Sequence, residues 1–323
     1  TLFKHGRGPL RMLKALHSLS LVLAYLLSAR EIPIGGQAVI EGVLMRGPGS
    51  WALAVRAPGG DIWKKKWGSQ PWNSPFPWNL PVLRGLATMA EMLVTGFRAI
   101  SLSAQVALGE DEQIGPLELI VTFAVALLGV VGLFILLPVW ASDLGVKYLG
   151  MSPFWGNIME GLARAGVFVA YIAIIGLWKD IARVFAYHGA EHKTINAWES
   201  GAPLDKEQVS RFSRIHSRCG TSFLLVVVAV SVLVFALAGK GTVLWRVASR
   251  LLLLPVVIGV SYEVIRWCSK SGTLGRVLMA PALWLQYLTT REPDLGQIEV
   301  ALAALDLALE EGNVPRCPVE GEN

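Results

Sequence analysis

His188-Gly189-Ala190-Glu191-His192, followed by His216-x-x-Cys219, is where residue type and spacing could do chemistry in this chain. Three of the five histidines and one of the three cysteines fall within these 32 residues. If 187–199 is helical, His188 and His192 stand one turn apart on one face, where both imidazoles reach a single ion. Glu191 lies beside them, in the position of the general base of metalloproteases of the His-x-x-Glu-His type. His216 and Cys219 could supply the remaining donors of a tetrahedral site. Such a set suits zinc, with another divalent metal the alternative. Glu199, eleven residues after His188, returns to nearly the same helix face and is a further contender. Four protein ligands would close a structural site, whereas three would leave a position open for catalysis. A different chemistry would use Cys219 as nucleophile and His216 as base, in surroundings that Arg214 and Arg218 make electropositive.

These residues sit between hydrophobic runs. The chain is 53% apolar and 16% charged with a mean hydropathy of +0.51, the profile of a polytopic α-helical membrane protein. About four spanning helices are expected, over 117–140, 157–178, 220–239 and 247–267. Glu160 and Arg164 lie one turn apart in the second of these and can pair. Glu263 lies near the end of the fourth and pairs most simply with Arg266, with a role beside the metal the alternative. The apolar 12–29, 81–108 and 277–288 segments read as interfacial or re-entrant helices, and 141–156 reads as the loop after the first span. Lys and Arg concentrate in the 179–218 loop and near the N-terminus. That distribution predicts a multi-pass protein with both termini and the histidine loop cytoplasmic. Three separated cysteines fit a reducing compartment. The net charge of +5 is mainly a topology signal that suits anionic lipid, and no motif or aromatic-basic pattern suggests nucleic acid.

Ahead of the spans, 31–80 reads as a small β-rich cytoplasmic cap of two or three strands: 34–49 closed by a turn, then 51–57 and 62–67 around Pro58-Gly59-Gly60-Asp61. Glu41 and Arg46 pair most simply with each other. The Lys64–Lys66 run between Trp63 and Trp67 suits either a membrane interface or a solvated strand. The expected organisation is an N-terminal interfacial or membrane helix (1–30), the cap (31–80), a helical membrane domain (81–310) carrying a metal-binding loop at 179–219, and a disordered tail (311–323). A last helix is expected over 294–310, with Ile298, Leu302, Leu305 and Leu309 in one stripe.

Four blocks, IGGQAVIEGVLMRGP at 34–48, YHGAEHKTIN at 187–196, HSRCGTSF at 216–223 and TTREPDLGQIEV at 289–300, resemble the signatures of DUF1385, the YqhQ-like group of bacterial membrane proteins with relatives in plastids. Ser217 departs from the proline usual there. The resemblance implies His188, His192, His216 and Cys219 as ligands, Glu191 as base, and Gln37, Glu41 and Arg46 as the other wall of the site. Its label of metal-dependent enzyme rests on these same histidines.

Two functions follow. One is a zinc-dependent hydrolase at the cytoplasmic face of the bacterial inner membrane, with Glu191 as base and Arg46 or Arg218 stabilising negative charge. The other is a non-catalytic scaffold or assembly factor, in which a structural metal staples the loop to the helices. Its partners would be the lipid bilayer, membrane proteins or further copies of the chain.

Overall fold

The computed structural model describes residues 34–108, 116–217, 219–237 and 242–310. The helix expected over 1–30, Arg218, and the tail with Cys317 lie outside the described residues.

Four antiparallel strands pair in chain order, β1 (Gly35–Val39), β2 (Gly42–Arg46), β3 (Ser50–Arg56) and β4 (Ile62–Gly68). The expectation of two or three strands is corrected because 34–49 folds back on itself at Ile40-Glu41, so that Val39 faces Gly42. That turn carries no Asn-Gly or Asp-Gly signal. Glu41 adopts a left-handed φ of 52°, and its carbonyl accepts the Arg56 N–H at 2.8 Å.

The helices are α1 (Leu83–Leu108), α2 (Pro116–Val131), α3 (Leu137–Leu149), α4 (Pro153–Ile175), α5 (Lys179–Glu199), α6 (Lys206–Val209), α7 (Gly220–Leu237), α8 (Val243–Lys270), α9 (Gly272–Thr289) and α10 (Leu295–Leu309). Strand alternation sends Val43, Met45, Ala52 and Ala54 against α5 and α10, where Tyr187, Ala190, Ile298 and Leu305 meet them. Leu44, Trp51, Leu53 and Val55 go to the other face, against Ala99, Met92 and Leu102 of α1. With helices on both faces, β2 and β3 read as unbroken apolar runs. The expected 294–310 helix is α10. Asp294 caps it in a reciprocal box with Gln297, and Ile298, Leu302 and Leu305 are buried.

Among the described residues, three stretches are long and apolar enough to cross a membrane: Ala124–Leu149, Trp155–Ile175 and Leu244–Cys268. The apolar stretch of α7, Gly220–Ala236, is shorter. Leu128, Leu162 and Leu252 are each more than two-thirds exposed. Apolar faces of this extent suit lipid, since a monomer in water exposes no such area.

The first span does not end near Trp140 as expected, and 141–156 is not a loop. A π-helical turn, Gly132–Leu136, joins α2 to α3, and the helix runs on to Leu149. Pro138 reads as a terminator because it lacks an N–H. The wider turn accommodates it: Leu137 donates to the Gly132 carbonyl. The Phe134 carbonyl, which Pro138 cannot serve, accepts Arg164 Nε at 2.9 Å.

Glu160 pairs with Arg164 as expected (2.9 Å), and Arg250 of α8 joins them through two bonds of 2.9 and 3.1 Å. Ser231 accepts from Arg164 at 3.1 Å, and both guanidinium groups lie 5.1 Å from the Phe235 ring. Glu263 gains partners beyond the expected Arg266: Arg84 of α1 holds both of its oxygens, the Val82 N–H donates to one at 3.3 Å, and Arg266 acts on it electrostatically. Arg84 is remote in sequence, so helix spacing alone could not propose it.

Candidate metal centre

The 187–199 helix expected from the sequence is the buried C-terminal part of α5. His188 Nδ1 donates to the Thr289 carbonyl at 2.8 Å, and His192 Nδ1 donates to the Arg214 carbonyl at 2.6 Å. A carbonyl only accepts, so each ring carries a proton on Nδ1 and turns Nε2 to the site, the arrangement that orients metal-binding histidines. The rings lie 4.4 Å apart, and one donor atom from each of His188, His192 and Cys219 falls within 4.8 Å of the others. Cys219 Sγ is 3.3 Å from His188 Nε2 and receives the Thr221 N–H at 3.4 Å from the start of α7.

Glu191 sits against this group, its Oε2 3.5 Å from His192 Nε2 and 4.0 Å from His188 Nε2. Among the described residues, no lysine or arginine pairs with it. Burial pushes its carboxyl up to about 8, partly offset by His188. Burial likewise holds His192 down at about 3 and raises the Cys219 thiol. In the metal-free protein Glu191, His192 and Cys219 are therefore neutral near pH 7, and an arriving cation would meet the ready His192 lone pair and two ionisable acids. The donor chemistry fits a divalent metal of the zinc type.

Two glycines make room. A side chain on Gly36 of β1 would stand 2.6 Å from Glu191 Oε1, so the carboxylate occupies the space a Cβ would need. A side chain on Gly189 would collide with the Arg291 carbonyl, where the connection after α9 crosses α5.

The loop after α6 is pinned carbonyl by carbonyl. Lys193 Nζ donates to Ser210 (2.7 Å) and Phe212 (2.8 Å), and Asn196 to Ser213 (2.7 Å) and Ile215 (3.1 Å). Buried Gln286 holds the His216 backbone at both N–H (2.9 Å) and C=O (2.8 Å). Lys193, Asn196 and Gln286 are missing from the sequence-derived site. The spacing of the first two from His192 on one helix was the available signal.

His216 stands apart from the three-donor group. Its ring is 5.7 Å from that of His192, and its Nε2 lies 3.4 Å from Glu199, so these two candidates meet each other. Burial lowers the His216 ring to about 4. Gln37 and Arg46 line a cavity of about 970 Å³ together with His188, Asn73 and Thr221. The Glu41–Arg46 pairing is corrected. Glu41 binds Arg183 and Tyr187 (3.1 Å) and is not among the residues lining that cavity. Arg46 binds Glu91 (3.0 Å) and stacks on Trp51. Each pair joins the sheet to a helix, since Arg183 lies on α5 and Glu91 on α1.

The family described as "Protein of unknown function (DUF1385)" matches residues 80–311. This chain belongs to the DUF1385 family. A relative named "Uncharacterized protein YqhQ", from Bacillus subtilis (strain 168), is 33% identical over 300 residues, covering 87% of this chain and 94% of the relative. No solved structure matches.

Proposed function

We propose that this DUF1385 member is a membrane-embedded, zinc-dependent hydrolase with its site at the cytoplasmic interface. One observation carries the reading: two histidines with Nε2 turned to one point and a buried cysteine converge beside a buried carboxyl that pairs with no lysine or arginine among the described residues, and His188 opens onto a cavity of about 970 Å³. His188, His192 and Cys219 would hold the metal, which supplies Lewis acidity toward water and toward a substrate carbonyl or phosphoryl oxygen. Three donors suit a site with one position left for chemistry.

The chain's own groups have distinct tasks. Glu191 accepts a proton at Oε2, and its apolar burial keeps its affinity for that proton near the working pH. Arg46, on the cavity wall, balances negative charge on the substrate. The Thr289 and Arg214 carbonyls keep the two rings in one orientation throughout. The basic 179–218 region favours the cytoplasmic side.

The test is elemental analysis and zinc-edge absorption on the detergent-purified full chain. The expected result is one zinc per chain with two nitrogen donors, one sulfur donor and one light-atom donor. Glu191→Gln should keep the zinc and lose turnover of ester or peptide substrates. A filled shell that includes His216 would instead favour the scaffold reading, in which the metal ties α5 to the start of α7. Protein that takes up no metal would overturn both.

A further inference from the structure

A second cavity, of about 1160 Å³, lies between the 70–78 linker, α1 and α8. We infer that it binds an acyl chain of a membrane lipid whose polar end lies in the His188 cavity; this rests on the hydrolase reading and names its substrate class. Three observations carry the inference.

The first is continuity. Pro71 lines both cavities, and buried Glu91 touches a lining residue of each. One carboxylate oxygen holds Arg46, at the His188 cavity, and the other accepts the backbone N–H of Trp72, which lines the second cavity.

The second is depth. Pro255 and Ile258 line the second cavity and lie near the middle of the Leu244–Cys268 stretch, so the cavity meets hydrocarbon if α8 crosses the bilayer. Leu93, 69% exposed, stands at its edge on the outer apolar face of α1.

The third is chemistry. Trp72, Trp78, Leu86 and Met89 dominate the lining, and Gln70, Ser74 and the two indole N–H groups are its few side-chain hydrogen-bonding groups. A peptide backbone entering here would leave most of its N–H and C=O groups without partners, which is costly in an apolar cavity. An acyl chain has no such groups. Arg46, Asn73 and Thr221 put polar contacts only in the neighbouring cavity, which suits the head of an amphiphile, an anionic one above all.

The test uses the full chain in phosphatidylethanolamine–phosphatidylglycerol vesicles doped with a phospholipid carrying a diazirine near the end of one acyl chain. After irradiation, labelled peptides are mapped by mass spectrometry. Labelling should concentrate on the 70–93 and 255–258 segments, above the level on the exposed Leu127–Leu128 face of α2, which reports surrounding lipid. Ala90→Trp, at an exposed lining position, should lower the cavity labelling about tenfold, since excluding two methylenes from an apolar site costs about that much. Leu93→Glu, also exposed, should do the same by charge, and neither variant should change metal content.

Labelling equal to that on α2, or unaffected by both variants, overturns the acyl site. Zinc uptake and turnover of a short water-soluble ester without cavity labelling would remove this inference and keep the hydrolase. Cavity labelling in a protein that binds no metal would keep the acyl site and remove the hydrolase. Cross-linking to a transmembrane peptide at the same residues, in place of lipid, would also refute it.

Discussion

The polar cluster around Glu160 and the one around Glu191, both buried, differ in how far their charges are answered. In the helical region, the two Glu160 oxygens take bonds from Arg164 and Arg250, while Ser231, the Phe134 carbonyl and the Phe235 ring absorb what remains. At the end of α5, Glu191 is as deeply buried but faces the Nε2 atoms of two histidines. A satisfied cluster fixes helices against one another. An unsatisfied one costs stability in the metal-free protein and is relieved by a cation, which is what a binding site needs.

The comparison breaks most sharply at Glu160. Glu160→Gln leaves two buried guanidinium groups without their counterion and should cost about 3–5 kcal/mol, the usual price of breaking a buried pair, measured as lost thermal stability in detergent. If the protein tolerates it, the helical cluster is not the satisfied one. Asn196→Ala comes next. It frees the Ser213 and Ile215 carbonyls, so roughly 1–3 kcal/mol of local stability should go, seen as faster hydrogen exchange over 210–217. Zinc affinity should fall by about 10–100-fold, as for other groups that support metal ligands.

The pH dependence is smaller and has a definite sign. The Glu191 carboxyl is raised to about 8, so its contribution to metal-free stability is full below its unfolded value of 4.5 and lost as pH rises toward 8. His192 and His216, lowered to about 3 and 4, act oppositely, adding stability as pH rises to 6.5. Metal-free protein should therefore be most stable near pH 6.5 and lose about 1.4 kcal/mol per unit between there and pH 8. Zinc or Glu191→Gln should remove that loss, and a decline that persists in the variant would assign it to another group. The smallest effect is Gly36→Ala. The added methyl displaces the flexible Glu191 side chain, so fold and metal content should hold while turnover drops.

Much of the α5 site was legible because both histidines and the carboxylate lie on one helix, where spacing is geometry: His188, Glu191 and His192 converge as their positions on a 3.6-residue turn require. The sheet was legible as extended segments but one strand short, because the Ile40-Glu41 turn has no glycine at its centre. The Glu41–Arg46 pair was misread, and the principal partner of Glu263 missed, for one reason. Each was matched to a neighbour in sequence, whereas the nearest opposite charge comes from another element: Arg183, Glu91 and Arg84.

By itself, the sequence determined the apolar helices, the helical histidine pair and the membership carried by four ordered blocks, since composition, periodicity and motif spacing are local properties of the chain. Only the tertiary structure decided that Cys219 joins the pair while His216 turns to Glu199. The same holds for Gly36 and Gly189 as the spaces into which a carboxylate and a crossing connection fit. Those outcomes depend on which backbone approaches which, and close approach between distant segments leaves no periodic trace in a single chain.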